Sequence, residues 1–313
     1  MTYLTKRLAL LFAASLLGAG LLGGAQKVNL RLNLEKGRTY HLRTTSDQKT
    51  SQTMQGREMN MQQKTVDDMA FTVNAVAGGD ITLGILTERV EADIVTPRDT
   101  VHYDSSQPGE VKHPMLKALA AMAGQSLEMT VSTTGRIKSV SGMDRVIDRI
   151  IASLEMPEGP AREALISAIR KNFGEEAFKD QWGFTFAAYP DRPVAPGDTW
   201  KANFVTGGGF PIIYDGTWTL SKIEGGAAVV AVDARLSTNT EAPPFEMGPL
   251  KVKMEITGTQ TGTLRIDLAT GWITGGSLVQ KFEGTNRVES GPGQTSGMTW
   301  PMKMETVTSF ENF

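Results

Sequence analysis

Gly78-Gly79-Asp80-Ile81-Thr82-Leu83-Gly84-Ile85 decides the fold. Two glycines and an aspartate form a tight hairpin turn, and the alternation that follows puts Ile81, Leu83 and Ile85 on one side of an extended chain. That period of two marks a strand with one buried and one solvated face. The pattern continues in both directions. Downstream, the strand runs on to Val95. Upstream, Glu58 to Ala77 returns from a Gln55-Gly56 turn, and Thr39 to Thr53 is a long polar strand rich in Thr, Ser and Gln. Before it, Val28, Leu30, Leu32 and Leu34 alternate with polar residues, which predicts one more half-buried strand, turned by Lys36-Gly37-Arg38. Long antiparallel strands with one wet face are the expectation.

The middle of the chain changes period. Pro114 opens a short apolar segment, Met115 to Ala123, and Gly124 closes it. Ser141-Gly142-Met143-Asp144 resembles a capping box. After it, Met143, Val146, Ile147, Ile150, Ile151 and Leu154 form one helical stripe. Pro160 starts a second helix carrying Ala161, Leu165, Ala168, Ile169 and Phe173, stopped by Gly174. From Trp200 to Phe310 the strand pattern returns, with turns at Gly207-Gly208-Gly209, Gly225-Gly226, Pro243-Pro244, Thr270-Gly271 and Gly291-Pro292-Gly293. The expected fold is α+β and mostly β. Long antiparallel strands form a curved sheet or half-barrel, and a central helical segment packs on one face because its apolar stripe needs a partner. Residues 26–142 and 183–313 are the two β-rich halves, and 143–182 is the helical segment.

The halves echo each other. Gly37-Arg38-Thr39-Tyr40 parallels Gly197-Asp198-Thr199-Trp200, each a turn before a strand that opens on an aromatic residue. Gly78-Gly79 parallels Gly225-Gly226, and Thr134-Gly135-Arg136-Ile137 parallels Thr270-Gly271-Trp272-Ile273. These are the parallels an internal duplication leaves.

Thr5-Lys6-Arg7, the apolar run Leu8 to Leu22 and the small residues Gly23-Gly24-Ala25 have the order of an export signal cleaved near Ala25, giving a periplasmic or extracellular protein from Gln26; the alternative is an uncleaved membrane anchor, for which the run is short and its small-residue end unfavourable. Its loss takes two cations, so the net charge of -2 becomes about -4 (-2 minus 2). That balance, with no basic patch interleaved with aromatics, speaks against a nucleic-acid partner. The chain has no cysteine. Disulfides, thiolate metal sites, thiol catalysis and a lipoprotein's acylated cysteine are thereby excluded.

Signals for chemistry are weak. The three histidines, His41, His102 and His113, have no ligand at metal spacing, and no HExxH pair exists. Serine-nucleophile signatures are absent. Gly207-Gly208-Gly209-Phe210-Pro211 lacks the Lys-Ser/Thr and the following helix of a phosphate loop. Asp67-Asp68 and Glu175-Glu176 are adjacent pairs. Neighbours on a strand point to opposite faces, so neither pair is an acid/base dyad, and solvation is expected for both. Trp200, Trp218 and Trp272 fit core or sheet-face positions.

Methionine is the one excess, 15 residues. Met59 and Met61 share a strand face, as do Met302 and Met304. Ordinary core packing, an adaptable surface for a hydrophobic ligand, and a thioether copper site all suit this pattern. No histidine joins the pairs, which weakens copper.

Tyr189-Pro190-Asp191-Arg192-Pro193-Val194, Pro196-Gly197-Asp198-Thr199-Trp200, Ala242-Pro243-Pro244 and Gly258-Thr259-Gln260-Thr261-Gly262-Thr263 resemble an uncharacterised exported bacterial family, domain of unknown function 6263. The resemblance implies export and one intact unit and brings no activity. At fold level the hairpins and central helices are also similar to periplasmic lipoprotein and lipid carriers.

The functional expectation is a non-enzymatic cell-envelope protein, without cofactor or metal, that binds or carries a lipid or other hydrophobic ligand. Met59, Met61, Met302 and Met304 are the candidate contacts on the sheet, with Ile147, Ile150 and Ile151 from the covering helix. The alternative is a structural module whose sheet edge or face docks another envelope protein. An open apolar cavity favours the first and a closed interior the second.

Overall fold

The computed structural model describes residues 27–54, 56–107, 109, 111, 113–153, 157–186, 189–206, 211–247, 250–291 and 297–313. The segment read as an export signal with its expected cleavage near Ala25, Leu154 of the helical stripe, the Gly207-Gly208-Gly209 turn and Pro292-Gly293 lie outside them.

In chain order the elements are β1 (Thr39–Met54), β2 (Arg57–Ala77), β3 (Asp80–Val95), β4 (Thr100–Asp104), α1 (Pro114–Met122), β5 (Ser126–Ser132), β6 (Ile137–Ser141), α2 (Met143–Ser153), α3 (Pro160–Phe173), α4 (Glu175–Phe186), β7 (Thr199–Val205), β8 (Ile212–Glu224), β9 (Ala227–Thr238), β10 (Phe245–Met247), β11 (Leu250–Asp267), β12 (Ile273–Ser290) and β13 (Thr299–Glu311). The strands and the α1 and α2 boundaries follow the periodicity closely. Sequence periodicity did not anticipate α4, which restarts one residue after α3 ends.

Among the described residues all strands join one antiparallel sheet of 13, in the order β6-β5-β3-β2-β1-β13-β12-β11-β9-β8-β7, with β4 on β3 and β10 on β11. The order repeats. Strands β6-β5-β3-β2-β1 correspond in sequence order to β12-β11-β9-β8-β7, and β13 stitches the two runs by pairing with both β1 and β12. The parallel turns have matching backbones, with positive φ at Gly78 and Gly79 as at Gly225 and Gly226, and at Gly135 as at Gly271. At Gly271 glycine is needed twice over. Its φ is +69°, and a Cβ there would lie 1.9 Å from the Arg31 carbonyl oxygen.

The sheet curls. Its two ends, the Thr134–Ile137 turn before β6 and residues 201–205 of β7, line one pocket of about 440 Å³ together with Lys179, Asp180 and Gly183 of α4. Inside the curl lies one apolar cluster drawing on both halves, from Leu42, Phe71 and Leu83 to Trp218, Leu236, Ile266 and Phe310. Trp200, Trp218 and Trp272 are all buried in it. Helix α4 covers the β6 edge: Glu175 Oε1 accepts the Val140 N–H at 3.1 Å, and Trp182 meets Phe71 edge-on with ring centroids 5.7 Å apart.

Val28–Leu34 departs from expectation. Leu30, Leu32 and Leu34 are buried, as their alternation implies, yet the segment forms no ladder. It runs along the rim, bridging Val28 to Val194, with Leu32 N–H donating to Thr133 O and Asn33 N–H to Thr270 O. Alternation reports an extended backbone with one apolar side; it carries no information about the hydrogen-bond partner.

Candidate functional site

Pairing register defines the two faces. Residues directly opposite on antiparallel strands share a face, so each register line is a row across the sheet. One inner row is Met61–Thr50–Met304–Phe282–Gly258–Leu236–Tyr214. The next is Met59–Gln52–Met302–Gly284–Ile256. The structure therefore brings the four candidate methionines together, in two adjacent rows on β2 and β13 with β1 between them. Their exposure differs: Met302 is buried and receives Asn286 Nδ2 on its sulfur at 3.6 Å, Met61 and Met304 are half-buried, and Met59 is 40% exposed. The helical candidates go elsewhere. Ile147 and Ile150 are buried with Ala121, Val146 and Ile169 in a separate cluster, with Ile151 packed against it, because α2 spends its stripe on α1 and α3.

A belt without charge follows on the same face. Gln63–Gln48–Thr306–Gln280–Gln260 is one row, and Thr65–Ser46–Thr308–Leu278 the next. Gln48, Gln63, Ser46, Thr65, Thr308 and Gln280 are half-buried, so solvent reaches the inner face across β2, β1, β13 and β12. Gln260 is 4% exposed, and its Oε1 has no hydrogen-bond partner.

One more row on stands Asp67, opposite Thr44, with Val90 and Phe310 beyond. The adjacent acids do point to opposite faces, but neither is solvated as expected. Asp68 faces out, buried under a bidentate ion pair with Arg43 (Nε to Oδ1 2.6 Å, Nη2 to Oδ2 2.8 Å). Asp67 faces in, and burial first, then the charge of Asp68, pushes its carboxyl up from 3.8 to about 6.

The outer face carries the charges. An open trough of about 810 Å³ crosses β2, β1, β13, β12 and β11. It is lined by two complete outer rows, Gln62–Lys49–Glu305–Lys281–Thr259 and Asn60–Ser51–Lys303–Glu283–Thr257, by Val95 beside Gln62, and by the row between them, Met61–Thr50–Met304–Phe282–Gly258. The flanking inner residues Gln48, Gln52, Met302 and Gln260 take no part in it, so the trough opens on the charged side. Lys281 pairs with Glu305 at 3.5 Å and Lys303 with Glu283 at 3.8 Å, while Lys49 has no ion pair among the described residues.

Sequence spacing missed one cluster on this face. The β3–β4 hairpin sets His102 opposite Asp93 and Asp104 opposite Glu91, residues too far apart along the chain to signal one another. His102 Nδ1 lies 2.7 Å from Asp93 Oδ1. Glu91 and Asp104 both accept from Arg89 Nη2, at 2.6 and 2.9 Å, and the Arg89 and Ser106 donors hold the Asp104 carboxyl well below the usual carboxylate range. Glu91, Asp93 and His102 have ligand atoms close enough for one cation, yet each already has a partner in the protein. No helix among the described residues is long and apolar enough to cross a membrane.

Fold and faces together define a curled, unclosed antiparallel sheet of two repeated strand runs, flanked by helices. Residues 78–273, more than half of the chain, match the family of unknown function DUF6263, and the chain belongs to that family. No curated protein matches it in sequence. Among solved structures it is similar to lipovitellin, studied for its lipid–protein interactions, at 11% identity and a TM-score of 0.46 over 89% of this chain. The chain spans about a quarter of lipovitellin's length (25%). It is also similar to the translocator domain of the autotransporter NalP from Neisseria meningitidis (8% identity, TM-score 0.23, 90% of each chain). Pseudomonas aeruginosa OpdQ gives 8% identity and a TM-score of 0.20, over 88% of this chain and 98% of that one. At these scores the likenesses carry no argument about function.

Proposed function

We propose that this is an exported, non-enzymatic protein of the cell envelope that binds an apolar or amphipathic ligand on the inner face of its curled sheet. One observation carries the reading: the centre of that face is accessible and almost free of charge. Met61 and Met304 stay half-buried at the rim of the curl, where a finished core would cover them. Unbranched thioethers adapt to an irregular apolar surface, which suits a ligand better than a fixed jigsaw. Native mass spectrometry of protein purified from its own host tests this. Co-purified lipid, or displacement of a fluorescent fatty-acid probe, supports the reading. A ligand-free protein that also takes up no probe removes it.

The trough supports a second reading, in which the outer face docks another envelope protein. Its Lys and Glu side chains are spread over three strands, β1, β13 and β12, with amide and hydroxyl side chains of β2 and β11 beside them, as a polar, specific contact requires. Reversing Lys49 and Lys303 to Glu would then abolish a salt-sensitive association and leave ligand binding on the inner face intact.

A further inference from the structure

Followed strand by strand through the pairing register, the inner face of the described sheet carries two charged residues: Arg57, exposed at the tip of the β1–β2 hairpin, and Asp67, ten positions further along β2. Arg57 lies at the far end of β2, and the lysines and arginines nearer to Asp67 face the other way: Arg43 and Arg89 reach Asp68 and Asp104, and Lys49 and Lys64 lie on the outer rows. Asp67 has no hydrogen bond or ion pair among the described residues. Thr44 lies directly across from it, and its buried Oγ1 also has no partner. A carboxylate, which can only accept, and a hydroxyl, which can donate or accept, are thus both left unpaired on a stretch of the face that carries no other charge. Unpaired carboxylates are rarely buried, because nothing replaces the water they lose.

The geometry points to Asp67 and Thr44 as the anchor for the cationic head of an amphiphilic ligand, an ammonium group above all. This rests on the ligand-binding reading and adds the ligand's charge to it. An ammonium offers three donors, enough for the Asp67 carboxylate, the Thr44 hydroxyl and a further group. The rows of Ser46, Thr65 and Thr308, then of Gln48, Gln63 and Gln280, accommodate hydrogen-bonding groups near the head, and the Met61–Met304 row, third from Asp67, accommodates the far end of the apolar body. The raised Asp67 carboxyl agrees with a site waiting for a counter-charge. The other groups near it do not supply one. Asp68 is behind it on the outer face and already paired, and Tyr103, two strands over in the next inner row, is a phenol whose ionisation burial disfavours.

Calorimetric titration of the purified protein with dodecylammonium, dodecanol and dodecanoate, each below its micelle concentration, tests the assignment. At pH 7.5 dodecylammonium is expected to bind about tenfold tighter than dodecanol, the size of one charge-assisted hydrogen bond. The preference disappears at pH 4.5, where Asp67 is protonated, and in Asp67→Asn at either pH. A carbon-13 NMR titration of Asp67 in the unmodified protein guards against a misfolded variant: bound dodecylammonium lowers the carboxyl's midpoint. Equal affinity for amine and alcohol, a preference that survives Asp67→Asn, or an Asp67 midpoint that ignores the amine overturns the assignment and leaves the apolar-ligand reading in place. Failure of all three probes to bind overturns both.

Discussion

Replacing Asp67 by Asn should make the ligand-free protein more stable, and only above a definite pH. The native carboxyl titrates at about 6, against 3.8 for the free group. Between those values the native state holds a proton that the unfolded chain releases, so this group's contribution to stability falls as pH rises through the interval. Below pH 3.8 both states are protonated and nothing is lost. Above pH 6 the native protein carries a half-buried, unpartnered carboxylate. A shift of about two units at 1.36 kcal/mol each gives about 3 kcal/mol, and partial solvent access brings the expectation to about 2 kcal/mol. Asparagine keeps the shape and removes the charge. Urea unfolding of both proteins at pH 8 and pH 3.5 reads the difference directly. The comparison cancels the acids whose carboxyls are held low, Asp104, Asp198 and Asp267 among them, which lose their stabilisation on acidification in both proteins. A variant no more stable than the parent at pH 8, or a gain of the same size at pH 3.5, would refute the placement of Asp67 on an uncompensated inner face.

Other outcomes follow from the same structure. Gly271→Ala should cost about 3 kcal/mol or more in urea unfolding, since both its φ of +69° and the approach of Arg31 forbid a side chain. Leu32→Ala should cost about 2 to 5 kcal/mol, measured the same way, because the rim segment is buried core although it joins no ladder. Asp104→Asn should destabilise at pH 7, and the gap should close as pH falls below the ordinary carboxylate range, because the Arg89 pair contributes only while Asp104 is ionised. Met61→Ala should weaken binding of an apolar probe while barely moving the thermal midpoint, whereas Met302→Ala, at a buried site, should lower the midpoint.

Local pattern alone determined the elements. Period-two alternation in Ile81-Thr82-Leu83-Gly84-Ile85 marks a strand wherever it lies in the molecule, and Pro114 with Gly124 brackets a helix by backbone chemistry within the segment. The opposed directions of Asp67 and Asp68, and the sharing of a face by Met59 and Met61, come from the same pleat. Tertiary pairing decided the rest. It set Met304 beside Thr50, a residue over 240 positions away, and so in one row with Met61, by joining β1 to β13. It left Val28–Leu34 without a ladder, gave α2 its partners in α1 and α3, and put His102 against Asp93. Above all it chose which face of the sheet became the inside, and so turned one of two adjacent, ordinary-looking acids into the inward-facing acid of the described strands. Alternation says that two faces differ; only the curl of a complete sheet, closed by contacts between distant strands, says which of them water loses.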